Sequence, residues 1–76
     1  MMIAFPDMVK AGLTKARTKH PTGIRSPHEA LGVIREEYAE FEQEVYAQDF
    51  DKAKALKELT HLAAMCQRAA EDLELI

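Results

Sequence analysis

Apolar positions recur in steps of three and four along most of the chain. Leu31, Ile34, Tyr38, Phe41 and Val45 are separated by 3, 4, 3 and 4 residues. That spacing makes a coiled-coil-like stripe and predicts a helix from Pro27 to about Ala47. Its start is marked by Ser26-Pro27-His28-Glu29, a capping box in which the Ser26 hydroxyl accepts from the Glu29 N–H and the Glu29 side chain reaches back to the Ser26 N–H. Pro27 suits the first helical position, where its missing N–H costs nothing. The same spacing returns at Leu56, Leu59, Ala63, Cys66, Ala70 and Leu73, predicting a helix over 52–73. Gln48 to Asp51 is the polar break between them, and Asp49 or Asp51 can cap the later helix. A shorter helix over 6–19 follows from Pro6 in its first turn and from one face made of Phe5, Met8, Val9, Leu13 and Ala16. Gly12 lowers its propensity. Pro and Gly then break the chain at His20 to Arg25.

Two long helices joined by a short break form an antiparallel hairpin. Ala63, Ala64, Ala69 and Ala70 allow close helix approach. One stripe on each helix makes half of a four-helix bundle, which a second copy would complete. The 76-residue length points the same way: it supports one domain, 1–76, with a small core and no disulfide or Trp to reinforce it. The expected architecture is all-α, three helices with a long antiparallel hairpin, completing a four-helix bundle as a homodimer or homotetramer.

Charge and cysteine usage narrow the functional classes. A formal charge of −3 argues against binding a nucleic acid polymer through bulk electrostatics. No apolar run approaches the roughly 20 residues needed to span a bilayer. The opening MMIAFPDMVKAG has too short an apolar stretch for a secretory signal. The lone Cys66 cannot form an internal disulfide; it reads as a small buried hydrophobe, and a cytoplasmic location is expected. The one cationic stretch is Lys15, Arg17, Lys19 and Arg25. These residues either complement a helix C-terminus or contact phosphate.

Residues 36–44, EEYAEFEQE, carry five glutamates and no basic residue. With Glu37 set at 0° on a helical wheel, Glu40 lies at about −60° and Glu44 at about −20°, while the apolar stripe lies at about 40–100°. Those three acids therefore flank the stripe, whereas Glu36 and Glu42 point to solvent. Glu58 and His61 lie beside the stripe of the last helix, with Asp72 further along the same edge. Across an antiparallel hairpin, Glu37 and Glu40 can face Glu58 and His61. Three carboxylates and an imidazole suit a divalent cation, and paired acidic spacings on facing helices are one way to build metal sites inside bundles. The competing reading is a solubilising coiled-coil flank.

EEYAE, followed by ELTHLAAM, resembles the MazG-like all-α nucleoside triphosphate pyrophosphohydrolase superfamily, whose pattern is E-x-x-E, a spacer, then E-x-x-D. The resemblance covers roughly residues 26–70 and includes the upstream SPHEALGVIREE. It implies Mg²⁺ (or Mn²⁺) held by Glu37, Glu40 and Glu58, with His61 standing where the family has Asp. It also implies hydrolysis of an NTP or dNTP to the monophosphate and pyrophosphate, with Glu37 and Glu40 as the catalytic acids. Lys15, Lys19 and Arg25 are then the candidate substrate-binding cations. The exchange of Asp for His removes one negative charge and favours a softer metal. It leaves a second expectation standing: a MazG-like helical dimerisation or interaction module without catalysis.

Overall fold

The computed structural model describes residues 3–76, so Met1 and Met2 of the opening segment lie outside it. Among the described residues there is no strand. The chain forms α1 (Phe5–Lys19), α2 (Pro27–Val45) and α3 (Lys52–Asp72), close to the predicted bounds. Among the described residues, no helix is long and apolar enough to cross a membrane.

The caps follow from the local sequence. Ser26 Oγ accepts from Glu29 N–H at 3.1 Å. The reciprocal half of the box differs from expectation: Glu29 Oε2 accepts from the Arg25 N–H, at 3.4 Å, and not from Ser26. Asp51, and not Asp49, caps α3, with Oδ1 accepting from Ala53 N at 2.9 Å and Lys54 N at 3.2 Å. The end of α3 is closed by Leu75 N–H to Ala70 O and Glu74 N–H to Glu71 O. This is a Schellman arrangement, with Glu74 (φ 56°) in the left-handed position where Gly is usual.

Helix α3 is the axis of the molecule. Helix α1 packs on it in parallel: Val9 and Leu13 are buried with Ala64, and Gly12 lies beside Thr60 and Ala64. Helix α2 packs on it antiparallel: Ile24 and Ala30 are buried with Ala69, with Ile34 and Leu73 closing the cluster. Helices α1 and α2 do not pack on each other.

This arrangement corrects the predicted seam. With Leu56 at 0°, Thr60, Ala64 and Arg68 occupy about 40–120° and face α1. Glu58 and Ala69, at about 200–220°, face α2. The predicted stripe falls on a third side, and Leu56, Leu59 and Cys66 are exposed. Cys66 is therefore a surface thiol and not the expected buried hydrophobe. Helix α2 is turned in the same sense. Ala30, Ile34, Glu37 and Phe41 look toward α3, while Leu31, Tyr38 and Val45 are exposed. The physical cause is that α3 serves two helices at once, so each takes one of its stripes and the third is left uncovered. Because α2 and α3 are antiparallel, their uncovered stripes lie on the same side of the pair, opposite α1.

The C-terminal half of α3 locks the connection between α1 and α2. Arg68 is only 4% exposed. Its guanidinium donates to the carbonyls of Ala16, His20 and Thr22 and to Asp72 Oδ2. Asp72 Oδ2 in turn accepts from Ile24 N–H at 2.8 Å, and Arg17 reaches Asp72 at 3.0 Å and Glu71 at 2.8 Å. The Ile24 N–H is the first cause holding the Asp72 carboxyl below the usual range, with Arg17 contributing. Gly23 is needed here, because a Cβ would lie 3.0 Å from Asp72 Oδ2. Asp72 thus belongs to this clamp and not to the acidic edge the helical wheel suggested.

Replacing Arg68 with Ala removes the side-chain donor to the His20 and Thr22 carbonyls, while Ala16 O keeps the His20 N–H and Asp72 keeps the Ile24 N–H and Arg17. Urea unfolding of R68A should show a loss of about 2–4 kcal/mol. A loss below about 1 kcal/mol would mean that water takes over these contacts.

Candidate metal centre

Helix α2 presents Glu37 and Glu40 one turn apart, and α3 presents Glu58 and His61 one turn apart. The antiparallel register sets these pairs opposite each other. One ligand atom from each of the four residues lies within 4.8 Å of all the others. The turn of α2 that exposes Tyr38 is what brings this about. It carries Glu37 from the expected rim to the inward face, half-buried, and leaves Glu40 at the open edge. Glu44 is also half-buried but lies outside the cluster, and Glu36 and Glu42 are exposed as their wheel positions predict.

The geometry at the centre is unsatisfied. Glu37 Oε2 and Glu58 Oε2 are shielded from water and have no hydrogen-bond partner. These same two oxygens lie 4.0 and 3.8 Å from His61 Nδ1, too far for hydrogen bonds. Burial raises the Glu37 carboxyl to about 7, reinforced by the neighbouring Glu40 charge. Burial, then contact with Glu40, also raises Glu58, against the opposing influence of His61 and Lys57. Glu40 is the common neighbour that disfavours a second and third negative charge in the cluster.

Such a donor set fits a divalent cation. Ligands around one small ion at about 2.1 Å lie no more than about 4.2 Å apart. The 3.8 and 4.0 Å separations fall within that span, and the 4.8 Å limit needs closing by a few tenths of an ångström. A cation would give both orphaned oxygens a partner and relieve the carboxylate repulsion that raises Glu37.

The cluster opens into a groove of about 340 Å³ between α1 and α2, floored by α3. Lys15 and Lys19 line its α1 wall, Glu37 its α2 wall, and Lys57, His61 and Arg68 its floor. Arg25, predicted as a substrate contact, lies outside this groove. It sits at the start of α2, where its N–H bonds Glu29. Lys57 is a residue the sequence reading missed. Its position four residues before His61 puts the two on one helical face, which was the available signal.

The fold and site together define a class: a three-helix domain with a carboxylate–imidazole cluster beside a lysine-lined groove. Comparison with known protein families, curated proteins and solved structures finds no match.

The raised Glu37 carboxyl has a thermodynamic consequence in metal-free protein. Between the unfolded value near 4.5 and the folded value of about 7, the native state holds more protons than the unfolded state. Its stabilising contribution is complete below pH about 4.5 and is lost as pH rises through about 7. The melting temperature in EDTA should therefore fall between pH 5 and pH 8. In E37Q that slope should flatten, and at pH 8 the protein should be more stable than wild type by about 1–3 kcal/mol.

Proposed function

We propose that the chain is a MazG-like, divalent-metal-dependent nucleoside triphosphate pyrophosphohydrolase, acting on an NTP or dNTP. The observation that carries this reading is the pair of orphaned, shielded oxygens, Glu37 Oε2 and Glu58 Oε2, converging on His61 beside a groove lined by lysines. Three carboxylates and one imidazole are a mixed oxygen–nitrogen set. Mg²⁺ strongly prefers oxygen, whereas Mn²⁺ accepts imidazole, so Mn²⁺ is the favoured occupant. Bound there, it supplies charge neutralisation for the triphosphate and a water of lowered pKa.

This chain's residues do the rest. Lys15, Lys19 and Lys57 receive the phosphate oxygens and hold the substrate in line. A cluster carboxylate outside the ion's coordination takes the proton of the attacking water. Glu40, at the open edge of the cluster, is the carboxylate placed for that task. Water adds to the α-phosphorus, the bond to the bridging oxygen of the pyrophosphate breaks, and pyrophosphate leaves. The products are the nucleoside monophosphate and pyrophosphate.

The uncovered side of the α2–α3 pair supports a self-association reading. Leu31, Tyr38, Val45 and Leu59 are each at least 38% exposed, and Tyr46 and Phe50 extend the apolar surface at the hairpin turn. Two such faces packed together make a four-helix bundle, leaving each groove on an outer side. That face also favours the second reading, a helical dimerisation module in which the glutamates bind no metal.

Titration with Mn²⁺ and Mg²⁺ separates the two. Under the enzyme reading Mn²⁺ binds saturably and more tightly than Mg²⁺, and E58Q weakens it by at least about tenfold. Pyrophosphate release from NTPs should drop at least about a hundredfold in E40Q with the helical content unchanged. Folded protein that binds neither ion would leave the dimerisation module. For self-association, sedimentation should find wild type as a dimer or tetramer and L59E as a monomer at micromolar concentration.

A further inference from the structure

A second cavity, of about 450 Å³, lies between the N-terminal halves of α1 and α3. Helices α1 and α3 touch closely at Gly12, which stands 3.6 Å from Thr60 Cγ2 and 3.8 Å from Ala64 Cβ measured from a constructed Cβ position. Towards their N-termini they leave this cavity, walled by Ile3, Met8, Ala11, Ala53 and Leu56. Its volume is within the range of small-molecule sites. Its chemistry is opposite to that of the first groove. The walls are mainly methyl and thioether groups, with Asp7, Lys57 and His61 as the charged or titratable residues on the lining, and the one nearby hydroxyl, Thr60 Oγ1, already donates to Leu56 O. Yet the two cavities are neighbours, with Gly12, Lys57 and His61 lining both.

An apolar chamber on one side of the cluster and a lysine wall on the other define a polarity. Resting on the reading of the site given above, we propose that the nucleoside of the substrate lies in the apolar chamber at Met8, Ala11 and Leu56, with the phosphate chain running past His61 towards Lys15 and Lys19. This orientation sets the bonds nearest the nucleoside, those of the α-phosphate, beside the carboxylate cluster. The terminal phosphates then meet the lysines. A reversed substrate would bury a polyphosphate among methyl groups and leave the lysines opposite a neutral base. The lining is mostly apolar, so it selects for apolar surface, and Asp7 is the one carboxylate on it that could accept from a base edge.

The test uses the methyl and amide NMR spectra of the full chain with Mg²⁺, and two probes. One is inorganic tripolyphosphate, which has the phosphate chain alone. The other is a nucleoside triphosphate with a non-hydrolysable α,β bridge. The expected result is that both probes shift the amides of residues 15–20, and that the nucleotide alone shifts the methyls of Met8, Ala11, Ala53 and Leu56. A11W fills the chamber from an exposed helical position and should weaken nucleotide binding by at least about tenfold. If both probes shift only residues 15–20, the orientation is overturned and the pyrophosphohydrolase reading stands. If neither probe shifts any resonance, both fall. Methyl shifts that follow protein concentration and ignore the nucleotide would overturn the proposal in favour of a second copy occupying the chamber.

Discussion

The buried guanidinium of Arg68 is the interaction on which the arrangement of the helices rests. It donates to three carbonyls, those of Ala16, His20 and Thr22, and to the Asp72 carboxylate. An unpaired arginine in that position would carry a large desolvation cost. Every partner it finds lies at the end of α1 or in the connection to α2, apart from Asp72 one turn along its own helix. The result is that α1 must run parallel to α3 and end beside it. The chain then crosses over to start α2 antiparallel, pinned where Ile24 meets Asp72. The apolar core is small, with Ala64 its most buried residue at 1% exposed. A polar clamp at one end therefore matters more here than it would in a larger domain.

The geometry of the candidate site follows from that placement. With α1 locked parallel on one stripe of α3, Lys15 and Lys19 form a wall above His61 and Lys57. With α2 locked antiparallel on the next stripe, Glu37 and Glu40 oppose Glu58 and His61. The positive wall and the acidic cluster are thus made by different helices and meet over the same turns of α3. The close contact at Gly12 separates the lysine groove from the apolar chamber without closing either. Repulsion within the cluster is only partly offset, by His61 and Lys57 acting on Glu58: two carboxylate oxygens stay without partners, and the Glu37 and Glu58 carboxyls are both raised. Such frustration at one place, in a chain otherwise well capped and paired, is what a functional site looks like energetically.

The third stripe of α3 has the opposite character. Leu59 and Cys66 on it are exposed, as are Leu31, Tyr38 and Val45 beside them, while Ala63 and Leu73 at its edges pack against the two core clusters. This exposed apolar surface and the lysine-lined groove lie on different sides of the helix pair. The exchange of Asp for His at position 61 is the main chemical departure from the resembled pattern. His61 keeps a ligand atom in the cluster and brings one negative charge fewer than an aspartate would.

Much of this was legible in the residues alone. Three helices and their bounds follow from the 3-and-4 spacing, from Ser26 and Asp51 as caps, and from the Pro and Gly breaks, because these are local effects of a few neighbouring groups. The grouping of Glu37, Glu40, Glu58 and His61 also follows, since a short antiparallel connection leaves little freedom in which turns face each other. What the chain could not reveal locally is which stripe of α3 each partner takes. The most regular apolar stripe looked like the internal seam, yet it is the exposed one. Close packing of α1 at Gly12, Thr60 and Ala64 and the reach of Arg68 to distant carbonyls decide that choice. The same long-range contacts remove Asp72 from the acidic edge, leave Cys66 in solvent and Arg25 outside the groove, and bring Lys57 into it. Periodicity names the faces of a helix, but only the competition between two partners for one helix determines which face is covered.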